Sequence, residues 1–167
     1  YDSDMKEAKT SVSGNENDAH LALMNADKVR DEYGLRGEDL DTDTDMGNDG
    51  DPVDKIVVSV IDSGLDPDHE DIDYSHVIDG ESFVTTSTTT DTMGHGTFVT
   101  GEILAGIGNN TGIDGIADEL YVMPLKVFSS RTTTNAIIIK AINYATENRI
   151  AFDESNGKEG VNTAVIN

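Results

Sequence analysis

The sequence predicts an α/β fold of three layers, in which helices cover both faces of a mainly parallel sheet. Three short apolar runs, at residues 56–61, 120–128 and 161–167, are typical of buried parallel strands, and the first of them is rich in β-branched residues. Segments of helical character at 96–106 and 135–148 separate these runs. Strand, helix, strand, helix, strand is the order in which crossover helices join neighbouring parallel strands.

The first 54 residues form a separate region in this interpretation, made of an N-terminal arm, a helix and an acidic loop. Residues 1–18 are polar and lack periodicity, and residues 38–54 carry eight carboxylates in a low-complexity run. Between them, residues 19–33 predict a helix that Asp18 caps at its N-terminus. Its apolar positions, at mixed helical spacing, are Leu21, Ala22, Met24, Ala26 and Val29.

Residues 55–167 contain the predicted strands and helices of the sheet. After the first strand, residues 76–84 predict a short strand pair and residues 85–92 a polar loop. The helix over 135–148 is predicted to begin with Asn135 as its N-cap. Its core-facing positions, by helical spacing, are Ile138, Ile139, Ala141, Ile142 and Ala145.

The composition excludes several classes of function. The net charge of −22 argues against nucleic acid and anionic membrane surfaces as partners, and it suits divalent cations and basic peptides. No run reaches the ~18–20 apolar residues of a membrane-spanning helix, so no membrane insertion is expected. Cysteine is absent, so bound metal is the natural substitute for a disulfide framework. The first residues include no apolar signal region, and we expect any targeting peptide to have been removed or left out.

Two motifs carry the chemistry, VVSVIDSGLDPDHEDI at 57–72 and DTMGHGTFVTGEILAG at 91–106. Asp62 ends an apolar run, at the carboxyl end of a predicted strand, where functional groups collect in α/β sheets. His95 lies between two glycines at the start of a predicted helix. A carboxylate bonded to the imidazole Nδ1 would hold the ring's tautomer and stabilise the imidazolium, as in a nucleophilic triad. The alternative is a turn aspartate and a helix-start histidine that are unrelated to each other.

These motifs closely resemble the aspartate and histidine regions of the subtilisin-like serine proteases, the subtilases. The resemblance extends from about Asn25 to Asn167, and it includes the glycine-rich GNNTGIDGIA at 108–117 and the strand YVMPLKVF at 121–128. It implies a subtilisin-like fold in which Asp62 is the orienting carboxylate. It also implies that His95 acts as general base and general acid.

The serine motif of that family is not found in this sequence. The family has Gly-Thr-Ser followed by a small or apolar residue, whereas the Gly-Thr pair here precedes Phe98. The asparagine that completes the family's oxyanion hole is not recognisable either. We therefore interpret residues 55–167 as the first half of a catalytic domain, with residues 150–160 as an insertion. The other serines are not expected to be the nucleophile, because Ser63 belongs to the aspartate motif and the rest lie in polar loops: Ser129, Ser130 and Ser155.

The resemblance also implies a structural calcium ion. Asp71 matches a family aspartate that often ligates calcium together with a loop after the histidine helix. Here that loop contributes an asparagine side chain, Asn109 in preference to Asn110, and backbone carbonyls near Thr111 and Ile113. Oxygen ligands of this kind suit Ca²⁺. The alternative is an ordinary surface aspartate and an Asn-rich turn.

The acidic loop 38–54 has some features of an EF-hand. Asp41, Asp43 and Asp45 alternate as its ligands do, but Met46 takes the place of the invariant glycine and Pro52 that of the bidentate glutamate. We therefore expect a solvated loop, with a looser Ca²⁺ site as the alternative.

The polar segment 129–134 follows the second predicted strand. In the subtilases this loop carries an edge along which the peptide substrate lies as an added strand, which implies substrate contacts at Arg131, Thr132 and Thr133. A plain loop between strand and helix is the alternative. The remaining histidines lack the spacing of a zinc site and are interpreted as surface residues: His20, His69 and His76.

The sequence thus predicts a secreted or cell-surface serine endopeptidase that contains structural Ca²⁺ and cleaves a peptide or protein substrate. This chain contributes Asp62 and His95, while a Ser-bearing C-terminal fragment of the same protease contributes the serine and the oxyanion asparagine. The chain alone is predicted to be inactive. The alternatives are a non-catalytic subtilase-like regulatory module and a calcium-binding acidic module.

Overall fold

A computed structural model describes residues 19–33 and 55–167 of the chain. A 3₁₀ turn, Tyr74–His76, precedes the second strand. None of the helices in the described ranges has the length and apolar character needed to cross a membrane. The helices and strands, in chain order, are α1 (Ala19–Met24), α2 (Ala26–Tyr33), β1 (Val57–Asp62), β2 (Glu81–Ser82), α3 (His95–Leu104), β3 (Tyr121–Lys126), α4 (Asn135–Ser155) and β4 (Thr163–Ile166).

The four strands form one parallel sheet in the order β2-β3-β1-β4. The central strands β1 and β3 are apolar and mostly buried, as expected of parallel strands that are covered on both faces. Their register pairs Val57 with Tyr121 and Asp62 with Lys126. The carboxyl ends of β1 and β3 therefore lie side by side at one edge of the sheet.

An apolar core lies on each face of the sheet, because alternate residues of a strand point to opposite sides. The core that faces α4 contains Val57, Met123, Leu125, Val127, Ala141 and Ala145. The core on the side of α3 contains Val58, Val60, Leu65, Ile72, Leu104 and Val122. The predicted three-layer α/β fold with a parallel sheet is confirmed.

The helix α4 is longer than predicted and begins with a different cap. It continues to Ser155, through part of the stretch interpreted as an insertion. Its N-cap is Thr134 rather than Asn135, because the Thr134 hydroxyl accepts the N–H of Ile137 at 3.3 Å. The helix ends where Asn156 adopts the left-handed conformation, with φ of 52°.

The face that α4 turns to the sheet is narrower than predicted. Ala141 and Ala145 are fully buried, whereas the side chains of Ile139 and Ile142 are 54% and 40% exposed. The prediction that both isoleucines face the core is therefore wrong. Two small residues one turn apart let the helix pack closely on β1 and β4, and this orientation directs Ile139 and Ile142 outward.

Two other predicted elements differ in the structure. Residues 76–84 do not form a strand pair: β2 is a two-residue strand that pairs with β3, and Val77 makes an isolated bridge to Val122. The helix predicted over 19–33 is interrupted at Asn25, which has φ of 56° between α1 and α2. The predicted cap Asp18, the arm 1–18 and the acidic loop 38–54 lie outside the described residues, so the division at residue 54 stays a prediction.

Candidate active site

The carboxyl end of β1 presents Asp62 on a tightly held turn. The Asp62 carbonyl accepts the N–H of Val127 at 2.8 Å, which ties it to the end of β3. One carboxylate oxygen, Oδ1, accepts the N–H of Ser63 at 2.7 Å. Gly64 follows with φ of 109°, and a Cβ atom there would lie 2.0 Å from the carbonyl oxygen of Thr89. Only glycine fits this turn.

Main-chain contacts hold His95, the first residue of α3, beside the same turn. The Gly96 N–H donates to the Ser63 hydroxyl at 2.9 Å. A Cβ atom on Gly96 would come within 2.2 Å of the Gly64 carbonyl oxygen, so the two motifs touch backbone to backbone. On the other side of His95, Gly94 is the helix N-cap and has φ of 86°. The two glycines that flank His95 therefore serve different purposes. Gly96 allows the close approach to the Gly64 backbone, and Gly94 allows the turn into the helix.

Asp62 and His95, 33 residues apart in the chain, form a direct hydrogen-bonded pair. The ring Nδ1 lies 2.9 Å from Oδ1 and 2.8 Å from Oδ2 of the carboxylate. The side chain of Asp62 is 14% exposed and that of His95 is 67% exposed. The hydrogen bond to Asp62 and the charge of its carboxylate raise the pKa of His95; desolvation opposes this rise, and the charge of Asp91 adds to it.

A second carboxylate, Asp91, anchors the start of α3. Its Oδ1 accepts the N–H groups of Met93 and Gly94, at 2.8 and 3.0 Å. Its Oδ2 accepts the N–H and the hydroxyl of Thr97, at 2.9 and 2.8 Å. Burial raises the pKa of Asp91, but these four hydrogen bonds outweigh it and lower the pKa to about 2. Asp91 is therefore ionised at neutral pH, and its negative charge adds to that of Asp62 near His95.

This geometry suits general acid–base catalysis by an imidazole. A carboxylate on Nδ1 keeps that nitrogen protonated in the neutral ring, so that Nε2 is the proton acceptor. The exposure of the ring leaves it open to a nucleophile and a substrate. Within the described ranges, no hydroxyl group hydrogen bonds to His95. Ser63, the serine nearest in sequence to Asp62, is 1% exposed, and its hydroxyl accepts from Gly96.

The residues expected to hold Ca²⁺ meet in the structure, but as hydrogen-bond partners of one another. Asp71 is 3% exposed; its Oδ1 accepts from Asn109 Nδ2 at 2.8 Å, and its Oδ2 accepts the Ile113 N–H at 2.9 Å. The Thr111 N–H donates to Asn109 Oδ1 at 2.7 Å. The oxygen-bearing groups suit Ca²⁺ in type. Both Asp71 oxygens accept N–H donors, however, and no group of three or more His, Asp or Glu side chains gathers in the described ranges. The arrangement as it stands is not a formed calcium site.

The loop after β3, which contains the predicted substrate residues, lies at the same edge of the sheet as Asp62. Arg131 and Thr132 are exposed and Thr133 is partly buried. None of these three residues forms a hydrogen bond with Asp62 or His95 in the described part of the chain. Next to the start of this loop is an open concavity of about 240 Å³, lined by Asn167 and six apolar side chains: Ile61, Val127, Phe128, Ile138, Ile142 and Ile166.

Comparison with known proteins identifies the family. The profile of the Subtilase family matches residues 53–158, which is well over half of the chain. This chain belongs to the subtilase family. The structural resemblance extends to the "S41 Psychrophilic Protease", with a TM-score of 0.53 and 30% identity, over 59% of this subtilase chain and 33% of that structure. The nisin leader peptidase NisP from Lactococcus lactis gives a TM-score of 0.50 and 29% identity, over 56% and 29% of the two chains.

Curated relatives match over a similar part of this subtilase chain. Subtilisin DY of Bacillus licheniformis is 38% identical over 95 residues, which cover 56% of this chain and 33% of that protein. A subtilisin-like protease of Coccidioides posadasii (strain C735) is 31% identical over 130 residues, which cover 75% and 30% of the two chains. The chain therefore spans about a third of the length of the relatives that it matches.

Two residues that shape this subtilase site were not predicted from the sequence. Asp91 lies four residues before His95, and an aspartate just ahead of a helix is a recognisable capping signal. Lys126 ends an apolar strand, is 1% exposed, and donates from Nζ to the carbonyl of Ser63 at 2.6 Å. A lysine inside an apolar run is a signal too, because a buried cation requires polar partners.

Proposed function

We propose that this chain forms the acid–base half of a serine endopeptidase, which hydrolyses peptide bonds with an Asp–His–Ser triad. The observation that carries the proposal is the contact of both Asp62 carboxylate oxygens with Nδ1 of His95, at 2.9 Å or less. Membership of the subtilase family supports a protease of this class. We place the serine and the oxyanion asparagine in a Ser-bearing C-terminal part of the same protease, which either continues this chain or forms a separate fragment.

In the proposed reaction, the serine hydroxyl attacks the scissile carbonyl while His95 Nε2 takes its proton. The imidazolium that forms is stabilised by Asp62 at Nδ1, and it then gives the proton to the leaving amine. Water hydrolyses the acyl-enzyme with His95 again acting as the base. The role of the Ser63 N–H and of the Val127 N–H is to hold Asp62 in place, so that its carboxylate does not rotate away from the ring.

The proposed substrate is an extended peptide that lies along residues 131–133. The exposure of Arg131 and Thr132 supports this position, since an edge used for strand addition must be accessible. The apolar concavity beside Phe128 favours an apolar side chain of the substrate.

A serine-directed fluorophosphonate probe tests the proposed function in the full-length protein. We expect covalent labelling of the native protein, with the labelled serine mapping outside these 167 residues, and no labelling of a heat-denatured control. Label on Ser63, Ser129 or any other serine of this 17.9 kDa chain contradicts the division of the triad. A folded full-length protein that takes no label contradicts the endopeptidase and favours the regulatory module.

We also propose that a structural Ca²⁺ binds at Asp71 and the 109–113 loop, as subtilases generally bind calcium. The residue types support the site, and binding requires Asp71 and Asn109 to exchange their mutual hydrogen bond for the cation. A cation at 100 times its Kd adds about 2.7 kcal/mol to the free energy of unfolding. We therefore expect EGTA to lower the Tm of the wild type and of the control Glu70→Gln, but not that of Asp71→Asn. A wild-type Tm that is the same in EGTA and in calcium contradicts this proposal.

A secreted or cell-surface location follows from this proposal. Extracellular calcium is high enough to occupy a structural site of modest affinity. Immunoblotting of culture medium, cell-surface and intracellular fractions tests the location, and recovery of the protein in the intracellular fraction alone contradicts it.

A further inference from the structure

The most deeply buried charged side chain in the described part of the protein is that of Lys126, the strand neighbour of Asp62. Lys126, the last residue of β3, is 1% exposed. Burial of an ammonium group costs free energy unless hydrogen bonds replace its lost water. Its Nζ donates to the carbonyl oxygens of Ser63 and Thr90, both at 2.6 Å. Nothing in the proposed reaction uses this cation, so its position needs another explanation.

The two carbonyl groups that Lys126 binds belong to the two segments that carry the catalytic side chains. Ser63 directly follows Asp62, and its hydroxyl accepts from Gly96 in the first turn of α3. Thr90 directly precedes Asp91, the carboxylate that anchors the same turn. One ammonium group therefore connects the turn after Asp62 to the loop that leads to His95.

The register of the sheet places Lys126 next to Asp62. Asp62 and Lys126 are Cα partners of the parallel β1–β3 pair, so their side chains leave the sheet on the same face. Other links between the turn and the loop are main-chain bonds one or two residues further on: the Leu65 N–H to Thr89, and the Asp91 N–H to Leu65. These bonds leave the Ser63 carbonyl, one residue after Asp62, to Lys126.

We propose that Lys126 is a positioning residue for the Asp62–His95 pair. Resting on the proposed function, this inference assigns the buried cation the task of fixing the distance between the two catalytic segments. Without it, the carbonyls of Ser63 and Thr90 have no common donor, and fewer hydrogen bonds hold the turn to the loop. The pair then spends less time in the geometry in which Nδ1 bonds to the carboxylate.

The test compares Lys126→Met and Lys126→Arg in the full-length protease, with the exposed Lys140→Met as the control. Met keeps the apolar stem and loses all donors, whereas Arg keeps a cation that can reach two carbonyls. We expect Lys126→Met to lower kcat about tenfold or more with KM within about twofold, and Lys126→Arg to recover most of that loss. The downfield proton resonance of the His95 Nδ1–H is expected to broaden in Lys126→Met and to stay sharp in Lys140→Met.

The results for these variants distinguish a positioning role of Lys126 from a purely stabilising one. If Lys126→Met lowers Tm but leaves kcat and the resonance unchanged, the inference is wrong. If Lys126→Met does not fold, Lys126→Gln is measured instead, because its shorter neutral amide cannot bond to both carbonyls; unchanged kcat in that variant also overturns the inference. A wild type without serine-dependent proteolysis refutes the proposed function, while the resonance still tests whether Lys126 holds the pair together.

Discussion

Replacement of His95 by alanine is expected to lower kcat/KM of the full-length protease by about 10⁴-fold or more, the scale known for triad residues in serine proteases. The ring is the group placed to take the serine proton, and the Asp62 carboxylate against Nδ1 directs Nε2 toward that task. Steady-state kinetics on a peptide substrate measure the effect. KM should change little, because the predicted substrate loop at 131–133 makes no hydrogen bond to His95.

The matched control for this prediction is His69→Ala. His69 is exposed, and its Nδ1 accepts the Asp71 N–H at 3.3 Å, so it lies in the loop of Asp71 and outside the Asp62–His95 site. We expect His69→Ala to retain activity within about twofold. If His95→Ala cleaves peptide as fast as His69→Ala does, His95 is not the general base and the proposed mechanism fails.

Replacement of Asp62 by asparagine is expected to lower kcat by about 10⁴-fold, because the amide can donate to Nδ1 and so favours the wrong tautomer of the ring. It also removes the two main causes of the raised pKa of His95, the hydrogen bond and the charge of Asp62. In the wild type, activity should appear as the pH rises through that raised pKa, because the base must be neutral. In Asp62→Asn the pKa falls, and the acid limb of the residual kcat should move to lower pH.

Profiles of kcat against pH for the wild type, Asp62→Asn and Asp79→Asn test this direction. Asp79 is an exposed carboxylate outside the site, and its replacement should leave the profile unchanged. An acid limb that stays in place or moves to higher pH in Asp62→Asn contradicts the assignment of Asp62 as the partner that raises the pKa of His95.

The central elements of the fold were predictable because each has a strong local pattern. The short apolar runs became β1, β3 and β4, and the segments between them became α3 and α4. β2 was predicted only as part of a strand pair over 76–84 that does not form, because a strand of two residues shows no clear periodicity. The orientation of α4 was misread because it is rich in isoleucine on more than one face. Ile142 lines the concavity rather than the core, and spacing alone does not distinguish these environments.

In the candidate site too, the residues with strong local motifs were predictable and those that depend on distant contacts were not. Asp62 and His95 stand in glycine-containing motifs, and the tight turn and the close backbone approach that require those glycines are local properties. The task of Lys126 depends on carbonyl groups 63 and 36 residues away, so it becomes visible only when the sheet has brought them together. The hydrogen bonds within the Asp71 loop were also hidden, because the residue types suit a cation and the observed donors are backbone and amide N–H groups.

The direct contact between the Gly64 and Gly96 backbones has a consequence for protein engineering. Where side chains set the spacing of two reactive groups, a second mutation can compensate for the first by refilling the gap. Here the two backbones meet without any side chain between them, so no second mutation can compensate for a change at Gly64 or Gly96. Laboratory selection for new properties is best aimed at the exposed side chains of the loop 129–134, where substitutions leave the spacing of the reactive groups unchanged.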